Sequence, residues 1–149
     1  MPLVEEVSAA IADAMRKRDP ARLSALRMLK AALMNREVEK ARALEDAESR
    51  QVVASLVKQR KDSIEQFTKG GRHDLAAKET AEIAVLESYL PPAADPAAVE
   101  RAVSEAIAET GAASPKDLGR VMKAAMAKLT GQNVDGKTVN ELARLKLGG

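Results

Sequence analysis

Gly131-Gln132-Asn133-Val134-Asp135-Gly136-Lys137-Thr138 matches the phosphate-loop pattern GxxxxGK[ST] letter for letter. How this stretch is read decides the fold. A working phosphate loop hangs from a buried strand and is backed by a parallel sheet. Here the preceding residues, Met122–Leu129, have the spacing of an amphipathic helix. No strand pattern stands elsewhere in the chain, and no apolar strand ends in an Asp that would hold Mg²⁺. The octapeptide is therefore expected to be a glycine-containing turn between two helices, with Asp135 as the N-cap of the second. Amides at the start of that last helix, with Lys137 beside them, would suit one backbone phosphate.

The surrounding composition agrees. Alanine is the commonest residue, and the 149 residues include one Phe, one Tyr and no Trp. Strands favour aromatic and β-branched residues, whereas Ala, Leu, Glu, Lys and Arg favour helices. The expected fold class is all-α, with a core of Leu, Val, Ile, Met and Ala. Helical periodicity runs over Leu3–Arg18, from Pro20 to about Lys40, over Ala47–Lys69 and over Asp74–Leu90. Asp19-Pro20, Asp95-Pro96 and Ser114-Pro115 each place a capping residue before a proline at the first helical position. Gly70-Gly71 and Gly111 are stop signals. The segment Pro91-Pro92-Ala93-Ala94-Asp95-Pro96 cannot continue a helix and reads as a linker. The expectation is an N-terminal helical domain of about four helices, 1–92. A small C-terminal three-helix domain, 93–149, follows it.

Several chemistries are excluded by composition. No cysteine is present, so disulfides, thiolate metal sites and cysteine nucleophiles are absent. One histidine, His73, cannot build a multi-histidine metal or relay site. No metal, cofactor or catalytic residue is expected. No apolar run approaches the roughly 20 residues of a membrane span. Glu5 and Glu6 precede any apolar signal region, which points to a cytoplasmic address.

Charge is unevenly spread although the net value is only +2. Arg16–Arg42 holds nine basic residues against Asp19, Glu37 and Glu39, a local +6. Lys116–Lys146 holds seven against Asp117, Asp135 and Glu141, a local +4. Such segments attract phosphate weakly, and they lack the aromatic residues that stack on single-stranded bases. The run Lys58-Gln59-Arg60 reads as a solvated helix face. Glu79 and Glu82 have a surface spacing and no visible pocket, and the methionines fall at core-like positions.

Four ordered segments carry a resemblance. They are Arg22–Ala32 (RLSALRMLKAA), Lys58–Phe67 (KQRKDSIEQF), Glu82–Pro91 (EIAVLESYLP), and Asp117–Met122 (DLGRVM) followed by Asp135–Asn140 (DGKTVN). In this order and spacing the chain resembles the stand-alone GatB/YqeY family over nearly its whole length. The resemblance implies an all-helical protein of two parts. Similar sequence forms the tail of the GatB subunit of the glutamine-dependent tRNA amidotransferase, a carbon–nitrogen ligase with glutamine as amido-N-donor. That tail helps to hold the tRNA, while phosphorylation and transamidation occur in a separate catalytic domain that this chain lacks. The expectation is therefore a non-catalytic module with no activity of its own, associated with tRNA or another structured RNA. Lys116, Arg120, Lys123 and Lys137 would contact phosphates, with Asn133 or Asn140 as neutral donors. A protein partner from the translation machinery is compatible with this reading. The alternative is a helical protein–protein adaptor with no RNA role.

Overall fold

The computed structural model describes residues 1–148 and is all-α. Among those residues it has seven α-helices and no strand: α1 (Leu3–Arg16), α2 (Pro20–Lys40), α3 (Asp46–Lys69), α4 (His73–Glu87), α5 (Pro96–Thr110), α6 (Leu118–Lys128) and α7 (Gly136–Lys146). The chain divides into two compact units, Met1–Leu90 and Pro91–Gly149.

In the first unit α2 touches α1, α3 and α4, and α3 packs along α4. Leu26, Leu29 and Leu33 repeat every three to four residues, so one face of α2 is apolar, and all three are fully buried. They meet Val7 of α1, Val53 of α3 and Leu86 of α4 in one core. Asp19 starts α2 as its sequence suggests: its carboxylate accepts from the Arg22 N–H at 3.1 Å, and Pro20 opens the helix. Met28 and Met122 pack against the two cores as expected, but not every methionine does. Met15 and Met34 are 55% and 49% exposed, because no helix covers those faces of α1 and α2.

The second unit is a three-helix arrangement in which α5, α6 and α7 all touch one another. Its core is Val99, Val103, Val121 and Val139, with Ala102, Ala106, Ala125 and Ala143 between them. Asp95 and Asp135 cap α5 and α7 by accepting from the Ala97 and Lys137 N–H groups, each at 3.0 Å. The sixth helix starts later than its periodicity predicts. Pro115–Asp117 forms a single 3-10 turn, and Ser114 makes no capping bond. The Asp117 carboxylate accepts from the Ala113 N–H before the turn at 3.1 Å and from Arg120 at 2.5 Å.

The octapeptide at Gly131 is a turn between α6 and α7. Gly131 has φ +84°, a left-handed conformation that favours glycine. Asn133 ties this turn to the segment before α5. Its side-chain amide donates to the Pro91 carbonyl and its own carbonyl accepts from the Ala94 N–H, both at 2.8 Å. An isolated parallel bridge between Ala93 and Asn133 results, not a sheet.

The connection between α2 and α3 stores both strain and charge. Ala41 ends α2 with φ +54°, a conformation that costs an L-residue about 1–2 kcal/mol. Just beyond it, Glu48 accepts from Arg42 at 2.8 Å, from Lys40 at 2.9 Å and from the Glu45 N–H at 3.0 Å. The Arg42 guanidinium, then the Glu45 amide and Lys40, hold the Glu48 carboxyl well below the usual carboxylate range. Replacing Ala41→Gly should raise stability by about 0.5–1 kcal/mol, since relief of strain exceeds the added unfolded-state entropy. An unchanged or lower denaturation midpoint would contradict this. Because the folded pKa of Glu48 is depressed, its stabilisation is full above the unfolded value of about 4.3 and is lost as pH falls below it. The urea midpoint of Glu48→Gln should therefore fall less steeply between pH 5 and pH 3 than that of the parent chain, roughly the window of carboxylate titration.

Candidate nucleic-acid interface

The six residues expected to face RNA all lie in the second unit, but the structure gives them different work. Lys116, Lys123 and Lys137 are exposed and form no ion pair among the described residues. Lys116 sits in the 3-10 turn and therefore outside the register of α6. Lys123 lies on the outer side of α6, away from buried Val121 and Ala125. Lys137 is in the first turn of α7, where the helix dipole adds positive potential. Asn140, one turn further on, is half-buried and its side chain makes no hydrogen bond among the described residues.

Arg120 and Asn133 are occupied. Arg120 holds Asp117 and also donates to the Thr110 carbonyl at 3.2 Å. Asn133 holds the Pro91 carbonyl. The start of α7 is occupied too, because the Asp135 carboxylate already accepts from the Lys137 N–H. A phosphate at that helix end would have to displace a carboxylate cap.

Pairing also reshapes the two basic segments. In the second unit Lys128 reaches Glu109 at 2.6 Å and Glu105 at 3.5 Å, and Lys146 reaches Glu100 at 3.3 Å. What remains unpaired between Lys116 and Lys146 is Lys116, Lys123, Lys137 and Arg144. In the first unit Arg16, Lys17 and Arg22 converge on Asp13 at 3.6, 3.2 and 2.7 Å. Lys40 and Arg42 converge on Glu48, and Arg36 pairs with Glu39. Asp13 and Glu48 lie outside the basic window in sequence and lower its apparent +6 to +4, and Arg18, Arg27 and Lys30 form no ion pair among the described residues.

Sequence reasoning missed a polar cluster inside the first unit. Arg60 lies on no solvated face. Its Nη1 donates to both Glu79 oxygens, at 3.1 and 2.9 Å, and its Nη2 contacts the Met28 sulfur. Its Nε is buried without a partner among the described residues. Glu82, three residues beyond Glu79, is 4% exposed and accepts from the Ser24 hydroxyl at 3.1 Å. Both carboxylates therefore turn inward toward α2 and α3. Three of the four segments that carry the family resemblance meet here. Helical spacing within α4 held no signal for this, since 79 and 82 share a face whether that face is wet or buried.

Comparison with known proteins gives the class. The family model described as Yqey-like protein matches residues 4–147, and the chain belongs to this family. The relatives include proteins named "Altered inheritance of mitochondria protein 41, mitochondrial". That of Lachancea thermotolerans is 32% identical over 105 residues, covering 68% of this chain and 56% of its own length. That of Kluyveromyces lactis is 39% identical over 77 residues, covering 51% and 42%. That of Saccharomyces cerevisiae strain YJM789 is 32% identical over 78 residues, covering 52% and 42%. The chain thus spans about half the length of these curated relatives.

These names correct the cytoplasmic address expected from the sequence, because the relatives are mitochondrial proteins by name. The physical reason is that a missing apolar signal region speaks only of the secretory route. Mitochondrial targeting sequences are amphipathic and Arg-rich, not apolar. Among the described residues no helix is long and apolar enough to cross a membrane.

The buried pair in the first unit can be tested by a double-mutant cycle. Ser24→Ala leaves the Glu82 carboxyl without its donor and should cost about 1–3 kcal/mol. The same change in a Glu82→Leu background should cost much less, because no buried acceptor is left bare. Equal costs in both backgrounds, read from urea denaturation, would show that the hydrogen bond contributes nothing.

Proposed function

We propose that this YqeY-like protein is a non-catalytic RNA-associated module, with tRNA as the first candidate. Its two parts, 1–92 and 93–149, act as domains, and the second holds phosphates with Lys116, Lys123 and Lys137, assisted by Asn140. The observation that carries the reading is the sorting of charge in the second unit. Lys128 and Lys146 are neutralised by glutamates of α5, whereas Lys116, Lys123 and Lys137 stand exposed and unpaired. Cations free of internal partners release no ion pair when they meet a phosphate. The resemblance of this part to the tail of a tRNA amidotransferase subunit supports the same reading. Relation to that carbon–nitrogen ligase is one of sequence, and the chain performs no amidation of its own.

The second reading is an adaptor for a protein. It is favoured by one feature, the outer face of α2, where Met34 and Val38 are 49% and 79% exposed one turn apart. Binding there would bury apolar surface and would persist in salt.

Salt separates the two. Binding of unfractionated tRNA to the purified chain should weaken linearly on a log–log plot against monovalent salt. The combined variant Lys116→Ala, Lys123→Ala and Lys137→Ala should lower that slope by roughly 2–3 units, at roughly 0.7–0.9 per phosphate contact. A folded triple variant with unchanged affinity and slope would remove these lysines from the function and favour the adaptor.

A further inference from the structure

Ion pairs to α5 orient the other two helices of the second unit. Residues advance about 100° around a helix at each step. On α7 the buried face is Val139, Ala143 and Leu147. Lys146 lies on one flank of that face and reaches Glu100 of α5 at 3.3 Å, so this flank is the one beside α5. The opposite flank carries Asn140, Arg144 and Lys137, spaced three, four and seven apart on one side of the helix.

The same reasoning applies to α6, whose buried face is Val121 and Ala125. Lys128 lies on the flank that reaches Glu105 and Glu109 of α5. Arg120 leans the same way and bonds the carbonyl of Thr110 at the end of α5. Met126 falls on the other flank, and Lys123 on the outer side opposite Val121 and Ala125. The turn at 129–135 is short, so α7 returns alongside α6 and the two helices are in contact. The flanks of α6 and α7 that face away from α5 therefore border the same outer surface.

That surface has a distinct make-up. Lys123, Lys137 and Arg144 are exposed without acid partners among the described residues. Asn140 adds an unbonded amide, and Met126 is 37% exposed on the α6 side. Glu141 is the acid on the α7 side, exposed and bonded to neither neighbour. The positive charge comes from two helices, so it forms a face and not a single stripe. Resting on the RNA reading above, we propose that this α6/α7 face is where the RNA backbone lies, that Arg144 is a principal phosphate contact, and that Arg120 takes no part. The guanidinium of Arg144 suits phosphate because its fork of donors can bond two oxygens at once.

The test compares two variants of the full chain in the same tRNA salt titration, with a thermal melt to establish folding. Lys123→Ala with Arg144→Ala should lower the slope by roughly 1.4–1.8 units and weaken binding at low salt. Arg120→Ala should leave the slope unchanged. Arg144→Gln, a single change to a shorter, neutral polar side chain, should lower the slope by roughly 0.7–0.9 and serves if the double variant does not fold. A parent chain that binds tRNA with a clear salt slope, joined to an undiminished double variant or a slope lost in Arg120→Ala, would overturn this face and leave the RNA reading standing. A parent chain that shows no salt-dependent tRNA binding would overturn both.

Discussion

Both cores of this protein are built almost without aromatic side chains, and most of the architecture follows from that constraint. No Phe, Tyr or Trp is among the buried core residues of either unit. Burial must then come from aliphatic side chains worth about 1.5–3 kcal/mol each, and only many of them in close packing suffice. The first unit meets the need with long helices and the Leu26, Leu29 and Leu33 face of α2. The second meets it with alanines. Ala102, Ala106, Ala125 and Ala143 are buried between valines, which lets helix backbones approach closely. Small side chains leave little slack, so helix starts and stops must be sharp. Asp19, Asp95 and Asp135 supply the starts by bonding the first free amides.

Close packing of short aliphatic residues also leaves the charged residues crowded on the surface, and there the acids decide which cations are available. Asp13 collects three basic groups and Glu48 collects two. In the second unit the glutamates of α5 neutralise Lys128 and Lys146, and Asp117 neutralises Arg120. The α5 side of that unit is internally balanced and the α6/α7 side is not. A weak net charge thus conceals a polarised unit, which is the property a backbone-binding module needs.

The phosphate-loop match shows how a motif depends on its context. All the specified letters are present, yet Gly131 supplies a left-handed turn, Asn133 latches the segment before α5, and Asp135 places a carboxylate on the Lys137 amide of α7. A loop that cradles phosphate leaves such amides free and draws support from a sheet. Here the same letters join two helices, and the helical spacing of Met122–Leu129 already said so.

Local chemistry was legible in the sequence. Helix faces such as Val99 with Val103, the Asp caps, the glycine stops and the family could be read directly, because each depends on residues within a turn or two of one another. Boundaries blurred where local geometry changed, as when Pro115–Asp117 formed a 3-10 turn ahead of α6. Pairing across helices was not legible. Whether Arg60 and Glu82 are wet or buried depends on partners in α2, Met28 for the first and Ser24 for the second, each more than thirty residues away. The availability of Lys123 and the occupation of Arg120 likewise depend on which flank of α6 faces α5. The sequence by itself determined what each helix wanted to bury and, for α2, α5 and α7, where it began. Only the tertiary structure decided which charges found partners, because ion pairs form between side chains that packing, not chain order, makes neighbours.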